Sequence, residues 1–350
     1  MGRSNAWTSE VDWTTGQWQE RRQTPPHRGW RPPTPRGVLA KRPLTFFEVL
    51  DSGFRLLRFD PGLTIGSALI VFSLWTLALT AVGTFLVLRF FPVLSEIVAD
   101  DEAMSGFLLL VQAGSFALSL LSLGVVHLLA GLTAPGVEDS YLARRTSLSA
   151  SWRRLRGRRL PLVSATVLMS AVNAGLLVLL ALPALAFSLV ESFALAVVCA
   201  VVAFLLWAAA LVWLNVRFAF TGVVIATEGL GVRPALLRSW RLTRHGFWRT
   251  FGQLALGYFL SNQLVQLVIT PFLVILMGVF SVLLATSESE TALTVLGIVG
   301  AGIVLLLSTV ASAVLFAYFS CLVCACCFDR QVRTEGFDLA LIRRSEEETR

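Results

Sequence analysis

The sequence predicts an all-α, polytopic membrane protein. It has six transmembrane helices arranged as three hairpin repeats, each preceded by a basic amphipathic interfacial helix. Three observations predict this. Apolar residues make up 55% of the chain and charged residues only 15%, with a mean hydropathy of +0.73, whereas soluble domains carry about 25% charged residues. Six apolar runs each exceed the roughly 20 residues that a helix needs to cross the hydrocarbon core. The basic residues gather on alternate sides of those runs.

Residues 1–43 are expected to be a disordered, basic cytosolic arm carrying scattered tryptophans, because Pro25, Pro26, Pro32, Pro33 and Pro35 leave no helical period intact. The arm holds no apolar stretch of the kind a signal peptide needs. Residues 45–60 read as a short amphipathic helix with Phe47, Leu50, Phe54 and Leu57 on one side, stopped by Pro61. The membrane domain spans 44–330. Its apolar runs cover 63–91, 107–137, 160–190, 193–226, 251–285 and 292–328. A charged cytosolic tail follows at 331–350.

Orientation follows from the arginines. Segments 1–60, 138–160, 217–250 and 328–350 hold 28 of the 29 Lys and Arg residues, and the intervening turns carry Glu96, Asp100, Asp101, Glu102, Glu191, Glu288 and Glu290. The excess of positive charge on the cytosolic side places both termini inside the cell. Six crossings agree with that, and an arginine-rich, nearly lysine-free composition points to a bacterial inner membrane. The net charge of +7 admits two partners, nucleic acid or a membrane surface. The flanking apolar runs select the membrane, whose anionic headgroups attract clustered arginines.

The segment Arg233–Arg249 lies between the fourth and fifth runs. Read as a helix, it places Leu236, Trp240 and Thr243 on one face with Arg238, Arg241 and Arg244 beside them. That is the pattern of a helix lying in a membrane surface. It recurs. Around Phe54, Trp152 and Trp240 the chain repeats Leu four before the ring, Gly or Ser one before, and Arg one and four after. Eleven residues upstream of the acidic ends Glu138, Glu228 and Asp329 lie His127, Arg217 and Tyr318. The expected unit is a surface helix, an outward crossing, an acidic turn and a return crossing, at about 45–137, 138–227 and 228–330.

Three stretches carry a resemblance. They are Arg42-Pro43-Leu44-Thr45-Phe46-Phe47-Glu48-Val49-Leu50-Asp51-Ser52-Gly53-Phe54, then Glu228-Gly229-Leu230-Gly231 leading into Arg238–Arg244, and Phe328-Asp329-Arg330 leading into Glu335-Gly336-Phe337. Over about residues 42–342 the chain resembles an actinobacterial family of integral membrane proteins named for the membrane domain of glycerophosphoryl diester phosphodiesterases. The resemblance implies a multi-helix membrane domain and no reaction, since the chemistry of the namesake enzymes resides in a separate soluble barrel.

The candidate residues are few. Arg55, Arg58, Arg153, Arg156, Arg241 and Arg244 are placed to meet lipid phosphates. Arg217 is the guanidinium within a continuous apolar stretch, a candidate anion ligand together with Asn215 and His127; its place near the end of the run also suits a snorkelling anchor. Asn173, Asn262 and Gln266 are candidates for a polar cavity or for interhelical hydrogen bonds. Cys321, Cys324, Cys326 and Cys327 read as small apolar packing residues, with soft-metal or redox work as the sharper alternative. Gly297, Gly300 and Gly302 are expected to admit close helix contact. The chain offers no HExxH, phosphate-loop or nucleophile-elbow motif. The expectation is therefore a membrane scaffold or accessory module without catalysis, cofactor or metal, engaging anionic lipids and protein partners. A small transporter or lipid-handling permease is the competing class.

Overall fold

A computed structural model describes residues 37–40, 42–90, 101–187, 193–286 and 290–337, with the side chains of some helical positions in 101–121, 177–200 and 284–294 left outside that description. Ten helices are formed by the described residues: α1 (Phe46–Phe59), α2 (Pro61–Arg89), α3 (Asp101–Ser140), α4 (Leu148–Arg154), α5 (Arg159–Phe187), α6 (Phe193–Phe218), α7 (Thr221–Glu228), α8 (Val232–Arg244), α9 (Phe247–Thr286) and α10 (Glu290–Glu335). Five stretches, 61–89, 159–176, 197–228, 247–283 and 295–335, are long and apolar enough to cross a membrane. The expected second crossing, 107–137, falls in α3, part of which lies outside the described side chains.

The short helices follow local chemistry. Thr45 caps α1: its hydroxyl accepts from the Glu48 amide while the Glu48 carboxylate accepts from the Thr45 amide. Asp60 ends α1 and starts α2, with Pro61 in the first turn. Its carboxylate also accepts from the Thr146 amide at 3.0 Å, which ties the α3–α4 connection to this junction. The buried stripe of α1 is Val49, Leu50, Gly53 and Leu56, so Phe47 lies outside it and is 72% exposed. The expected face was rotated by about one position.

Two segments are divided differently from expectation. The fourth breaks at Ala219–Phe220 into α6 and α7, and the Phe220 amide freed by the break donates to the Ser239 hydroxyl. The stretch Arg233–Arg249 also breaks, at His245–Gly246, so Trp248 and Arg249 belong to α9. Arg330 donates to the Leu242 carbonyl at the end of α8, and a methyl on Gly246 would overlap its guanidinium. Of the expected arm, residues 1–36 lie outside the description, and its last residues belong to the fold: Leu39 is buried and the Val38 amide donates to the Ser140 carbonyl. The first residues of the expected tail, 331–335, continue α10, and residues 338–350 lie outside the described set.

The core is at the arginine-bearing end. From Cys321 to Phe328 no residue of α10 is more than 1% exposed, whereas Val295, Ile298 and Leu306 at its other end are open. At 1.5 Å per residue its 46 residues extend about 69 Å, well beyond the ~30 Å of hydrocarbon. The bare apolar halves of α2, α6, α9 and α10 are surfaces for lipid, which is as apolar as they are.

Around this core α10 packs on α2 and α9, α2 on α3, α3 on α5, and α5 on α6, while among the described residues α6 and α9 meet along the sparsest seam between neighbouring long helices. Close approach is made by Gly124 of α3 against α5, Gly131 of α3 against Leu162, and Gly222 of α7 against the His127 carbonyl, where a methyl group would overlap its neighbour. The glycines expected in this role behave otherwise: Gly297 and Gly302 face open space, and Gly300 meets only the Phe280 ring.

Gly222→Ala is expected to destabilise the fold by about 1–3 kcal/mol through overpacking, with Gly297→Ala near neutral, as read by thermal unfolding in detergent. A pH effect is expected at α1. Hydrogen bonding and charge from Arg42, with the Thr45 amide, hold the Glu48 carboxyl down from 4.5 to about 2. A depressed carboxyl stabilises above its unfolded pKa, so this contribution is complete above about pH 4.5 and is lost as the pH falls toward 2. Amide exchange of α1 between pH 2 and 5 should follow it in the native chain and not in Glu48→Gln.

Candidate functional site

The six repeat-matched arginines, Arg55, Arg58, Arg153, Arg156, Arg241 and Arg244, are all exposed. Arg55 pairs with Asp51 one turn away at 2.6 Å, an exposed pair of small energetic value. The small residue before each ring is buried against a long helix. A Cβ on Gly53 would lie 2.7 Å from the Tyr318 ring, Ser151 donates to the Leu132 carbonyl at 2.6 Å, and Ser239 donates to the Arg217 carbonyl at 2.8 Å. The rings themselves differ in partner. Phe54 packs on Tyr318 at 4.3 Å, Trp240 on the Arg217 guanidinium at 4.9 Å, and Trp152 on Arg159 at 4.3 Å.

Arg238, beside these, has a structural role that its position on the helix did not announce. Its guanidinium makes two 2.6 Å bonds to Glu335 and two 3.1 Å contacts to Glu228. Gln331 donates to the same Glu228 carboxylate. The hydrogen bonds that Arg238 donates to Glu335 push its pKa further up.

Arg217 stands at the end of α6 inside an aromatic cage. Its guanidinium carbon lies 5.7, 4.9 and 5.0 Å from the rings of Trp213, Trp240 and Phe247. Ring faces attract the cation but accept no conventional hydrogen bonds. The buried Nε and Nη1 have no acceptor. The cage opens on a groove of about 930 Å³ between α6 and the α8–α9 turn, lined also by Arg244, His245, Trp248, Arg249 and Phe251. Behind Val212 and Phe251, which border both spaces, lies an apolar cavity of about 200 Å³ between α3, α6, α9 and α10. Its polar lining is His127, Asn215 and Tyr258, and the Nδ1 of the buried His127 has no partner.

The polar-cavity candidates are not gathered there. Asn173 is fully buried and bonds Asn215 across α5 and α6, with the Asn215 amide donating at 2.9 Å. Gln266 is exposed on α9, and neither it nor Asn262 lines either space. Cys321, Cys324, Cys326 and Cys327 are buried free thiols; Cys324 donates to the Ala130 carbonyl and Cys326 to the Gln253 side chain. Among the described residues no three His, Cys, Asp or Glu side chains lie close enough to hold a metal ion.

The groove wall depends on a carboxylate that sequence reasoning passed over. Asp329, 1% exposed, accepts from the Leu44 amide at 2.8 Å and from Arg333 at 2.9 Å, with Arg249 at 3.8 Å. Arg249 and Arg333 also donate to the Leu44 carbonyl. The available signal was the acidic residue closing the last apolar run, read only as a boundary.

The fold and groove define an all-helical, multi-pass membrane protein with a cationic, aromatic-walled groove at one end. No protein-family model matches the chain, and neither a curated protein nor a solved structure is significantly similar to it.

Removing one partner of a buried charge cluster costs about 3–5 kcal/mol, and Asp329→Ala should lose stability on that scale in thermal unfolding. Asp51→Ala, which breaks only the exposed pair with Arg55, should change it by less than about 1 kcal/mol.

Proposed function

We propose that the chain is an integral membrane module without catalysis of its own, which engages anionic lipids in a bacterial inner membrane and so acts as a scaffold or accessory subunit. In this reading the helices make six crossings, both termini are cytosolic, and the arginine-bearing end lies in the cytosolic headgroup layer. The observation that carries it is the common exposure of Arg55, Arg58, Arg153, Arg156, Arg241 and Arg244 on three short helices and, for Arg156, the turn that follows α4. Each headgroup-level arginine contributes about 1 kcal/mol of attraction to an anionic leaflet.

The packing of the short helices supports a threefold unit. Gly53, Ser151 and Ser239 rest on α10, α3 and α6 respectively. Each surface helix therefore sits on the return crossing of the unit before it, with the first unit sitting on the third. The resemblance to the phosphodiesterase-type membrane domain agrees with a membrane role and rests on the residues quoted for it. A lipid-handling permease is the second reading, favoured by the cavity behind the α6–α9 seam.

The test uses the full chain extracted in polymer-bounded bilayer discs, with the surrounding lipid quantified. The native chain should carry anionic lipid enriched over the bulk membrane. A variant with Arg55, Arg58, Arg153 and Arg156 all changed to Gln should lose most of the enrichment. Equal lipid composition for both proteins would sink the proposal.

A further inference from the structure

The α6–α9 seam is the sparsest contact between neighbouring long helices of the ring among the described residues. Where α3 meets α5 or α10 meets α2 the helices pack closely, but α6 and α9 touch at few points. The gap is not simply apolar. On its outer side Arg217, Arg244, His245 and Arg249 line the groove, and no carboxylate does. Of this set, Arg249 pairs with Asp329 at 3.8 Å. Arg217 and Arg244 have no carboxylate in the groove's lining.

Arg217 makes the demand specific. Its Nε and Nη1 are buried and unpartnered within the three-ring cage. Ring faces leave the cation without an anionic partner. A negatively charged acceptor in the groove supplies the guanidinium with charge-assisted bonds that the cage does not, and phosphate suits a guanidinium well. A second unpartnered polar atom lies on the inner side. His127, 3% exposed, lines the apolar cavity with its Nδ1 unbonded. Val212 and Phe251 border both the cationic groove and the cavity. The order from outside to inside is cation, apolar neck, apolar cavity with one polar atom. A phospholipid carries the complementary order of phosphate, ester oxygens and acyl chain. The membrane around the seam supplies it at high local concentration.

We infer that the α6–α9 seam binds one anionic diacyl phospholipid, its phosphate on Arg217 and Arg244 and one acyl chain passing Val212 and Phe251 into the cavity bordered by His127. This rests on the anionic-lipid reading above and shares Arg244 with it, adding Arg217 and the cavity behind Val212 and Phe251. The lipid is held as a structural ligand in the ring, beside the sparse α6–α9 contact. The exposed arginines of α1 and α4 meet the leaflet in general.

Native mass spectrometry of the full chain in detergent tests it, with phosphatidylglycerol, phosphatidylcholine and glycerol phosphate added separately. The native chain should hold one phosphatidylglycerol at least tenfold more tightly than phosphatidylcholine, and glycerol phosphate far more weakly than either. Arg217→Gln should remove the tenfold preference. Arg244→Gln, an exposed change that the fold tolerates, should reduce it severalfold. Ala255→Phe narrows the cavity from a position open to the lipid side, and should weaken both diacyl lipids while leaving the headgroup preference.

No preference in the native chain, or a preference unchanged in both arginine variants, overturns the site. Tight binding of glycerol phosphate alone, or no effect of Ala255→Phe, overturns the acyl-chain placement. The variant lacking Arg55, Arg58, Arg153 and Arg156 should keep the single tight lipid. If that variant retains its bulk lipid enrichment as well, the leaflet reading fails while the seam site stands.

Discussion

The carboxylate of Asp329, together with the Leu44 carbonyl beside it, joins three separate parts of the chain. A nearly fully buried charge is tolerated only when its lone pairs are occupied, and here the Leu44 amide, Arg333 and Arg249 occupy them. Leu44 brings the segment that precedes α1. Arg333 brings the end of α10, and Arg249 the first turn of α9. That first turn carries Phe247 and Phe251, which form the wall of the cationic groove. The groove's shape is therefore set from a side that does not face it.

The distribution of packing follows from what surrounds each half of the molecule. In the apolar halves lipid competes on equal terms with neighbouring side chains, so helices gain little from meeting. Toward the arginine-bearing end the helices leave the hydrocarbon, and water restores the drive to bury apolar surface. There the segment Cys321–Phe328 is surrounded on all sides. Small side chains suit such a crowded axis. Cys321, Cys324, Cys326 and Cys327 alternate there with Ala325 and the larger Leu322 and Val323, which lets α1, α3 and α9 approach from different directions.

Hydropathy made the long helices legible, because a span needs only length and apolar content. The exposure of the matched arginines was legible too, since the spacing around Phe54, Trp152 and Trp240 fixes a helix face. Other features lay beyond reach for a common physical reason: their determinants sit far away in the chain. The break at Ala219–Phe220 falls inside an uninterrupted apolar run, and its compensating hydroxyl, Ser239, lies 19 residues on. Arg238 looked like a lipid-facing cation, and its partner Glu335 is 97 residues away. Gly297 and Gly302 had the spacing of a helix contact, yet close approach falls at Gly124, Gly131 and Gly222. A glycine's spacing says which face it lies on, not whether another helix reaches that depth. The caged Arg217 was noticed as an oddity, but Trp213 and Phe247 could not be assigned to it without the fold.

The packing of α1 against α10 also bears on the order in which the protein can be completed. Phe54 rests on Tyr318, the Leu50 carbonyl accepts from the Tyr318 hydroxyl, and Leu44 depends on Asp329. The earliest of the described helices to be synthesised thus finds its main partner only when the latest of them has emerged. Until then α1 must wait with its apolar stripe of Val49, Leu50 and Leu56 uncovered, and the leaflet surface is the one apolar shelter at hand for a helix of this amphipathic kind. Synthesis proceeds from the N-terminus, so closure of the ring is a late event, tied to the arrival of α10 rather than to the insertion of any earlier hairpin.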